Sequence, residues 1–225
     1  MPNPLVYDAV RAIGTFKPKF NPGQSRVFSD ELVVMGTGFW LRDEKVLITC
    51  AHVIQNLLGA PLELTGLLVV GKTGNYRRAV IANVDIEHDL AVLVLIQDNG
   101  QPVSDSDLQA EASSGLVLTT SYPNVSAPVA YAGFPLGNQL LNNLHSPTYA
   151  QGVIGIQQRQ VGRRKEIQIS GPIAGGFSGS PIVKVGTDEV VGIVSNGPTA
   201  PGNQGNIFMG VSWEHIKSIA ALANS

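Results

Sequence analysis

The stretch Gly175-Gly176-Phe177-Ser178-Gly179-Ser180-Pro181 sets a serine between glycines, immediately before the apolar run Pro181–Val185. Glycine lets a backbone turn sharply and lets another carbonyl approach closely. Acyl transfer needs an exposed hydroxyl with backbone N–H groups aimed at the developing oxyanion, and this string can supply both. An ordinary turn has the same composition, so the string decides nothing without companions.

Two companions lie upstream. In ITCAHV, Ile48–Val53, an apolar run ends at His52, which places an imidazole at a strand end. Imidazole is the usual general base because it titrates near neutrality. A lone histidine there also reads as a satisfied residue at a core edge. In EHDLAVLVLI, Glu87–Ile96, Asp89 directly precedes a nearly continuous apolar strand. A carboxylate half-buried at that point is costly unless paired. An imidazole Nδ1–H is such a partner, and the pairing fixes the tautomer that base catalysis requires. Asp89 also reads as the end of a loop. Asp85 and His88 compete for the role. His88 points away from Asp89 if the backbone is extended, and Asp85 falls too early in the pattern. The three motifs together occur in the chain order His, Asp, Ser, which separates them from the subtilisin and α/β-hydrolase orders.

Around these motifs the chain alternates short apolar runs with turn signals. The runs are Leu32–Met35, Gly38–Leu41, Val46–Thr49, Leu67–Val70, Arg78–Val84, Leu90–Ile96, Leu116–Thr119, Val129–Gly133, Gly152–Gln157, Ile167–Ser170, Pro181–Val185, Val190–Val194 and Ile207–Val211. Such spacing predicts an all-β sandwich or barrels. Val161–Gly162 predicts a hairpin turn. Leu5–Phe16 reads equally as strand or helix. The polar stretch 97–114 reads as a connector. In the tail, Trp213, Ile216, Ile219, Ala220 and Ala223 recur at helical spacing, with Ser212 as cap and Glu214 in the first turn. The predicted division is an N-terminal β unit over residues 1–98, a linker over 99–115, a C-terminal β unit over 116–210 and a helix over 211–225.

Beyond single motifs, the sequence resembles the trypsin/chymotrypsin-like peptidases, in particular the disulfide-free bacterial proteases of the HtrA type. MGTGFWL (Met35–Leu41) resembles the strand before the histidine, and ITCAHV and HDLAVL resemble the histidine and aspartate motifs. GGFSGSPIV resembles the serine motif, and VVGIVSNG (Val190–Gly197) the strand lining the substrate cleft. AGFPLGNQL (Ala132–Leu140) resembles a further HtrA-type segment. The resemblance implies two six-stranded antiparallel β-barrels with a short C-terminal helix, and a cleft between the barrels. It implies a serine endopeptidase with His52 as general base, Asp89 as its orienting carboxylate and Ser178 as nucleophile. The Gly176 and Ser178 N–H groups would form the oxyanion hole. Peptide substrate would add as a strand along Ser195, Asn196 and Gly197. Pro172, Ile173, Ala174, Gly197 and Asn206 would form the base of the specificity pocket, and Gly175 would also bind substrate. None of these is acidic, so the expected preference is for small or medium apolar side chains and not for Lys or Arg.

The sequence departs from that family at several positions. Secreted trypsins carry Asp before the nucleophile, where this chain has Phe177. Activation by a freshly cut N-terminus is therefore not expected, and Phe177 must hold the oxyanion loop by packing. An outside activating partner enters as an expectation on the same ground. Ser180 replaces the final motif glycine, and Val53 stands where disulfide-bonded members have cysteine. The single cysteine, Cys50, reads as a small buried residue.

Composition excludes other classes. Net charge is −2, so no long-range field attracts phosphate backbones, and nucleic acid is not an expected partner. No apolar stretch reaches the roughly 18 residues of a membrane span. One cysteine, together with an N-terminus (MPNPLVYDAV) unlike a signal peptide, gives a cytoplasmic, bacterial-type location as the expectation. No His/Cys spacing fits zinc and no Gly-rich phosphate loop occurs, so no metal or cofactor is expected. The cluster Arg159, Arg163, Arg164 and Lys165 around Gly162 reads as a solvated hairpin tip, or more weakly as a dock for an acidic partner.

Overall fold

The computed structural model describes residues 4–19, 27–58, 67–70, 74–135, 146–196 and 207–223. Six strands form the first half: β1 (Val10–Lys19), β2 (Val27–Leu41), β3 (Val46–Thr49), β4 (Leu67–Val70), β5 (Tyr76–Asp85) and β6 (Leu90–Ile96). They close into an antiparallel barrel in the order β1-β2-β3-β6-β5-β4. The second half holds β7 (Val117–Leu118), β8 (Pro128–Gly133), β9 (Thr148–Val161), β10 (Arg164–Ser170), β11 (Pro181–Lys184), β12 (Glu189–Asn196) and β13 (Ile207–Ser212). Its order is β11-β8-β9-β10-β13-β12-β7, and β11 also pairs with β12. Six antiparallel strands thus join end to end, and β7 adds alongside β12 in parallel.

Two six-stranded antiparallel units and a C-terminal helix are what the sequence predicts. The runs 32–35 and 38–41 belong to one strand, β2, interrupted by a register shift opposite Ile13 and Gly14. Leu5–Phe16 is both things in turn: α1 (Pro4–Ala9), then β1. The expected hairpin forms, with Arg164 facing Val161 across the turn and Gly162 in the left-handed region at φ 60°. The polar connector, in contrast, contains a helix, α2 (Asp105–Ala112). Ser104 accepts from the Asp107 N–H, and Asp105 and Asp107 sit in the first turn. Capping and dipole terms start this helix with almost no apolar stripe, so periodicity misses it.

Buried side chains form two groups. One fills the first barrel and runs on through Ala132, Phe134, Val183, Val190 and Ile193 to the last helix, α3 (Trp213–Ala223). The other fills the second barrel around Tyr131, Ile154, Ile169, Phe177 and Phe208. α3 buries Ile216, Ile219 and Ala220, the stripe its spacing predicts. It packs on β5 and β6 of the first barrel as well as on β12 and β13. Among the described residues, no helix is long and apolar enough to cross a membrane.

Candidate active site

β3 ends at Thr49, and a single 3-10 turn, Ala51–Val53, carries His52. Ala51 and Val53 are buried on either side of it, so the turn is pinned while the imidazole, 37% exposed, faces outward. Asp89 ends the turn that joins β5 to β6, with its N–H donating to the Ile86 carbonyl at 3.3 Å. Its backbone is left-handed, φ 58°, not extended as supposed above. That turn is why His88 leaves the site: its Nδ1 lies 2.6 Å from Asp85 Oδ2, and the two competing residues pair with each other.

Asp89 is 14% exposed and collects three donors. The His52 N–H donates to Oδ1 at 2.9 Å. His52 Nδ1 lies 2.8 Å from Oδ2 and 3.0 Å from Oδ1. The Ser195 hydroxyl donates to Oδ2 at 2.5 Å. Burial pushes the Asp89 carboxyl up. The bonds from His52 and Ser195, with the attraction of His52, outweigh it and hold the group below its ordinary value. An ionised carboxylate only accepts, so Nδ1 carries the imidazole proton and Nε2 is left as an acceptor.

Ser178 lies where the second barrel meets the first. Its carbonyl accepts the Thr37 N–H at 2.9 Å. Gly176 and Gly179 have φ of 99° and 88°, and a Cβ on either would run into the Phe134 or the Thr37 carbonyl. Only glycine fits both positions. Thr37 secures the loop further: its hydroxyl donates to the Gly176 carbonyl at 2.8 Å and accepts from the Phe134 N–H at 3.1 Å. Phe177 is 4% exposed and packs edge-on against Tyr131, with ring centres 5.6 Å apart. Burial of that ring stabilises the loop by about 2 kcal/mol. Among the described residues, neither the Gly176 nor the Ser178 N–H donates to an acceptor.

Ser195 joins the two halves. Its carbonyl accepts the Ser178 hydroxyl at 3.3 Å while its own hydroxyl serves Asp89. Next to it, Cys50 is fully buried and its thiol donates to the Val194 carbonyl at 3.2 Å. Cys50, His52 and Asp89 bring S, N and O atoms within 4.8 Å of one another. Burial, and then Asp89, push the thiol well above its usual value. Its proton goes to the Val194 carbonyl, and both Asp89 oxygens accept from His52 or Ser195, so these groups are satisfied among themselves and their neighbours.

The expected substrate-binding residues are partly described. Pro172, Ala174 and Gly175 are exposed and Ile173 is half-buried. The Pro172 carbonyl accepts from Tyr131 at 2.7 Å, and the Ala174 carbonyl from the Phe177 N–H at 3.3 Å. Asn196 ends β12, and Gly197 and Asn206 lie outside the described residues.

The profile of the trypsin-like peptidase domain matches residues 36–193, from the strand before His52 to the strand that carries Ser195. The chain belongs to the trypsin-like peptidase family. Among solved structures, the HtrA-type protease AlgW with decapeptide superposes with a TM-score of 0.66. The match covers 96% of this chain and 64% of that one, at 19% identity. No curated protein matches the chain.

Within this trypsin-like domain, sequence reasoning missed two residues. Thr37 had a signal: a polar residue between glycines in an apolar strand must be bonded if buried. Arg164 had none, because a cation beside a hairpin turn reads as solvated. Its side chain is only 13% exposed and its Nη2 donates to Ser195 Oγ at 2.8 Å. Lys165 is also engaged, with Nζ 2.6 Å from Glu214 Oε2. The solvated reading holds for Arg163, 82% exposed with Nη1 3.8 Å from Glu87 Oε2.

Proposed function

We propose that the chain is a serine endopeptidase that cleaves peptide bonds through an acyl-enzyme. The observation that carries this reading is the Asp89–His52 pair, which leaves Nε2 free to accept, alongside the undonated N–H groups of Gly176 and Ser178. His52 Nε2 takes the Ser178 proton as Oγ attacks the substrate carbonyl, and Asp89 stabilises the imidazolium. The Gly176 and Ser178 amides receive the oxyanion. His52 then returns the proton to the leaving amine, and water releases the acyl group by the same route. The peptide adds as a strand at Ser195–Gly197, with a small or medium apolar side chain before the scissile bond.

In the resting arrangement Ser178 Oγ donates to the Ser195 carbonyl. That contact supports a second reading, a restrained binding or regulatory module that needs an activating partner. A fluorophosphonate probe separates the two. The peptidase reading expects stoichiometric labelling of wild type and none of Ser178→Ala, with both folded by circular dichroism. Labelling that survives the substitution removes Ser178 as nucleophile. Wild type that never labels, even with peptides added, supports the restrained module.

A further inference from the structure

Arg164 opens β10, three residues past the Val161 end of β9, and its side chain turns inward. A buried guanidinium is expensive unless its donors are used in good geometry. Nη2 reaches Ser195 Oγ at 2.8 Å, and Nε lies 3.2 Å from Glu166 Oε1, a side chain itself 12% exposed. The Nε approach is off line for a hydrogen bond, so Glu166 supplies countercharge and Ser195 the directed contact.

That contact restricts a hydroxyl. Ser195 Oγ has one proton and two lone pairs. With one lone pair taken by a guanidinium that can only donate, the proton is directed to the acceptor on the other side, Asp89 Oδ2. A hydroxyl without such a clamp turns to suit any neighbour. Arg164 itself stays with its neighbours. The Lys165 N–H donates to His215 Nε2 at 2.9 Å, and the Lys165 ammonium holds Glu214, so the start of β10 is fastened to α3.

We propose that Arg164 is a positioning residue for the His52–Asp89 pair, acting through the Ser195 hydroxyl. The role rests on the peptidase reading for its catalytic consequence but not for its geometry. Loss of the guanidinium lets the Ser195 proton leave Asp89, which makes the pair easier to protonate.

The test compares wild type, Arg164→Gln, Arg164→Lys, Ser195→Ala and the Arg164→Gln/Ser195→Ala double variant. Fluorophosphonate labelling rates and the downfield proton NMR signal of His52 Nδ1–H are read for each. Arg164→Gln is expected to slow labelling about tenfold, the scale of one charge-assisted hydrogen bond. It should also shift the acid limb of the labelling rate to higher pH and move the His52 signal. Arg164→Lys should recover part of each change. In the Ser195→Ala background, Arg164→Gln should have less than about a twofold effect, because the relay is already cut. Effects of the two substitutions that multiply, or an Arg164→Gln protein with wild-type rate and an unmoved signal, would overturn the proposal. Wild type that does not label would defeat the peptidase reading alone, and the NMR comparison would still judge Arg164. Urea midpoints identify a variant that has simply unfolded, and Arg164→Lys then carries the comparison.

Discussion

Asp89 concentrates the local physics of the site. A left-handed backbone at φ 58° costs most L-residues about 1 kcal/mol, and Asp and Asn least. The same turn aims the carboxylate at three donors, so conformation and pairing are satisfied by one residue type. Asp89→Asn and Asp89→Ala should both lower turnover about 10⁴-fold, since neither holds the required tautomer. Their stabilities should differ. Asn tolerates the backbone and still accepts one bond, whereas Ala is strained and leaves the His52 N–H unpaired. We expect the Ala variant to be about 1–2 kcal/mol less stable than the Asn variant in urea denaturation. Equal midpoints would remove the strain argument. Residues of this kind were half legible in the sequence. His52, Asp89 and Ser178 could be picked out because each sits where a strand meets a turn. The turn's handedness, and with it the Asp85–His88 pairing, could not, because an Asp-containing loop of four residues fits several backbone paths.

Strands were legible as elements because apolar runs and turn residues are local signals. α2 was not, since caps and charges start it without an apolar stripe. Nor was the junction of β10, α3 and the turn before β6, which only tertiary contact creates. There His88 and His215 stack with ring centres 3.9 Å apart. Asp85 pairs with His88 from the turn, while Lys165 comes from β10 and Glu214 from α3. Tyr122 donates to Glu214 at 2.6 Å, and burial and then Glu214 push its phenol up to about 12. Burial, and then His88, hold His215 below its ordinary value, and its Nε2 is already the acceptor for Lys165 N–H. Protonating it breaks that bond. The unfolded chain binds this proton more readily, so stability falls as pH drops through the unfolded histidine value near 6.5. Glu214 lies below its own ordinary value because of Lys165, so its contribution is lost only at more acidic pH. Urea midpoints measured between pH 7.5 and 5.5 should therefore fall for wild type, with a shallower slope for His215→Gln. Parallel slopes would place the titration elsewhere.

At the scale of the molecule, the two sheets are not independent bodies. The Arg42 N–H donates to the Leu116 carbonyl and the Leu116 N–H to the Trp40 carbonyl, both at 2.9 Å, so the start of the second half is stitched to β2. α3, last in the chain, buries Ile216 and Ile219 in the apolar group that fills the first barrel. Sequence patterning locates both sheets but not this return, because a helical stripe says that it is buried and not against what.

One small feature makes this architecture measurable. The only sulfur nucleophile of the chain, Cys50, is sealed at the seam between the halves, its proton given to a main-chain oxygen of β12. A disulfide reagent can reach it only when that seam parts. Its modification therefore becomes a stopwatch for whole-molecule opening that needs neither substrate nor turnover. Under native conditions it should run at least about a thousandfold slower than in denaturant, tracking the opening equilibrium. Fast modification of the folded protein would mean that the halves come apart far more readily than their shared interior allows.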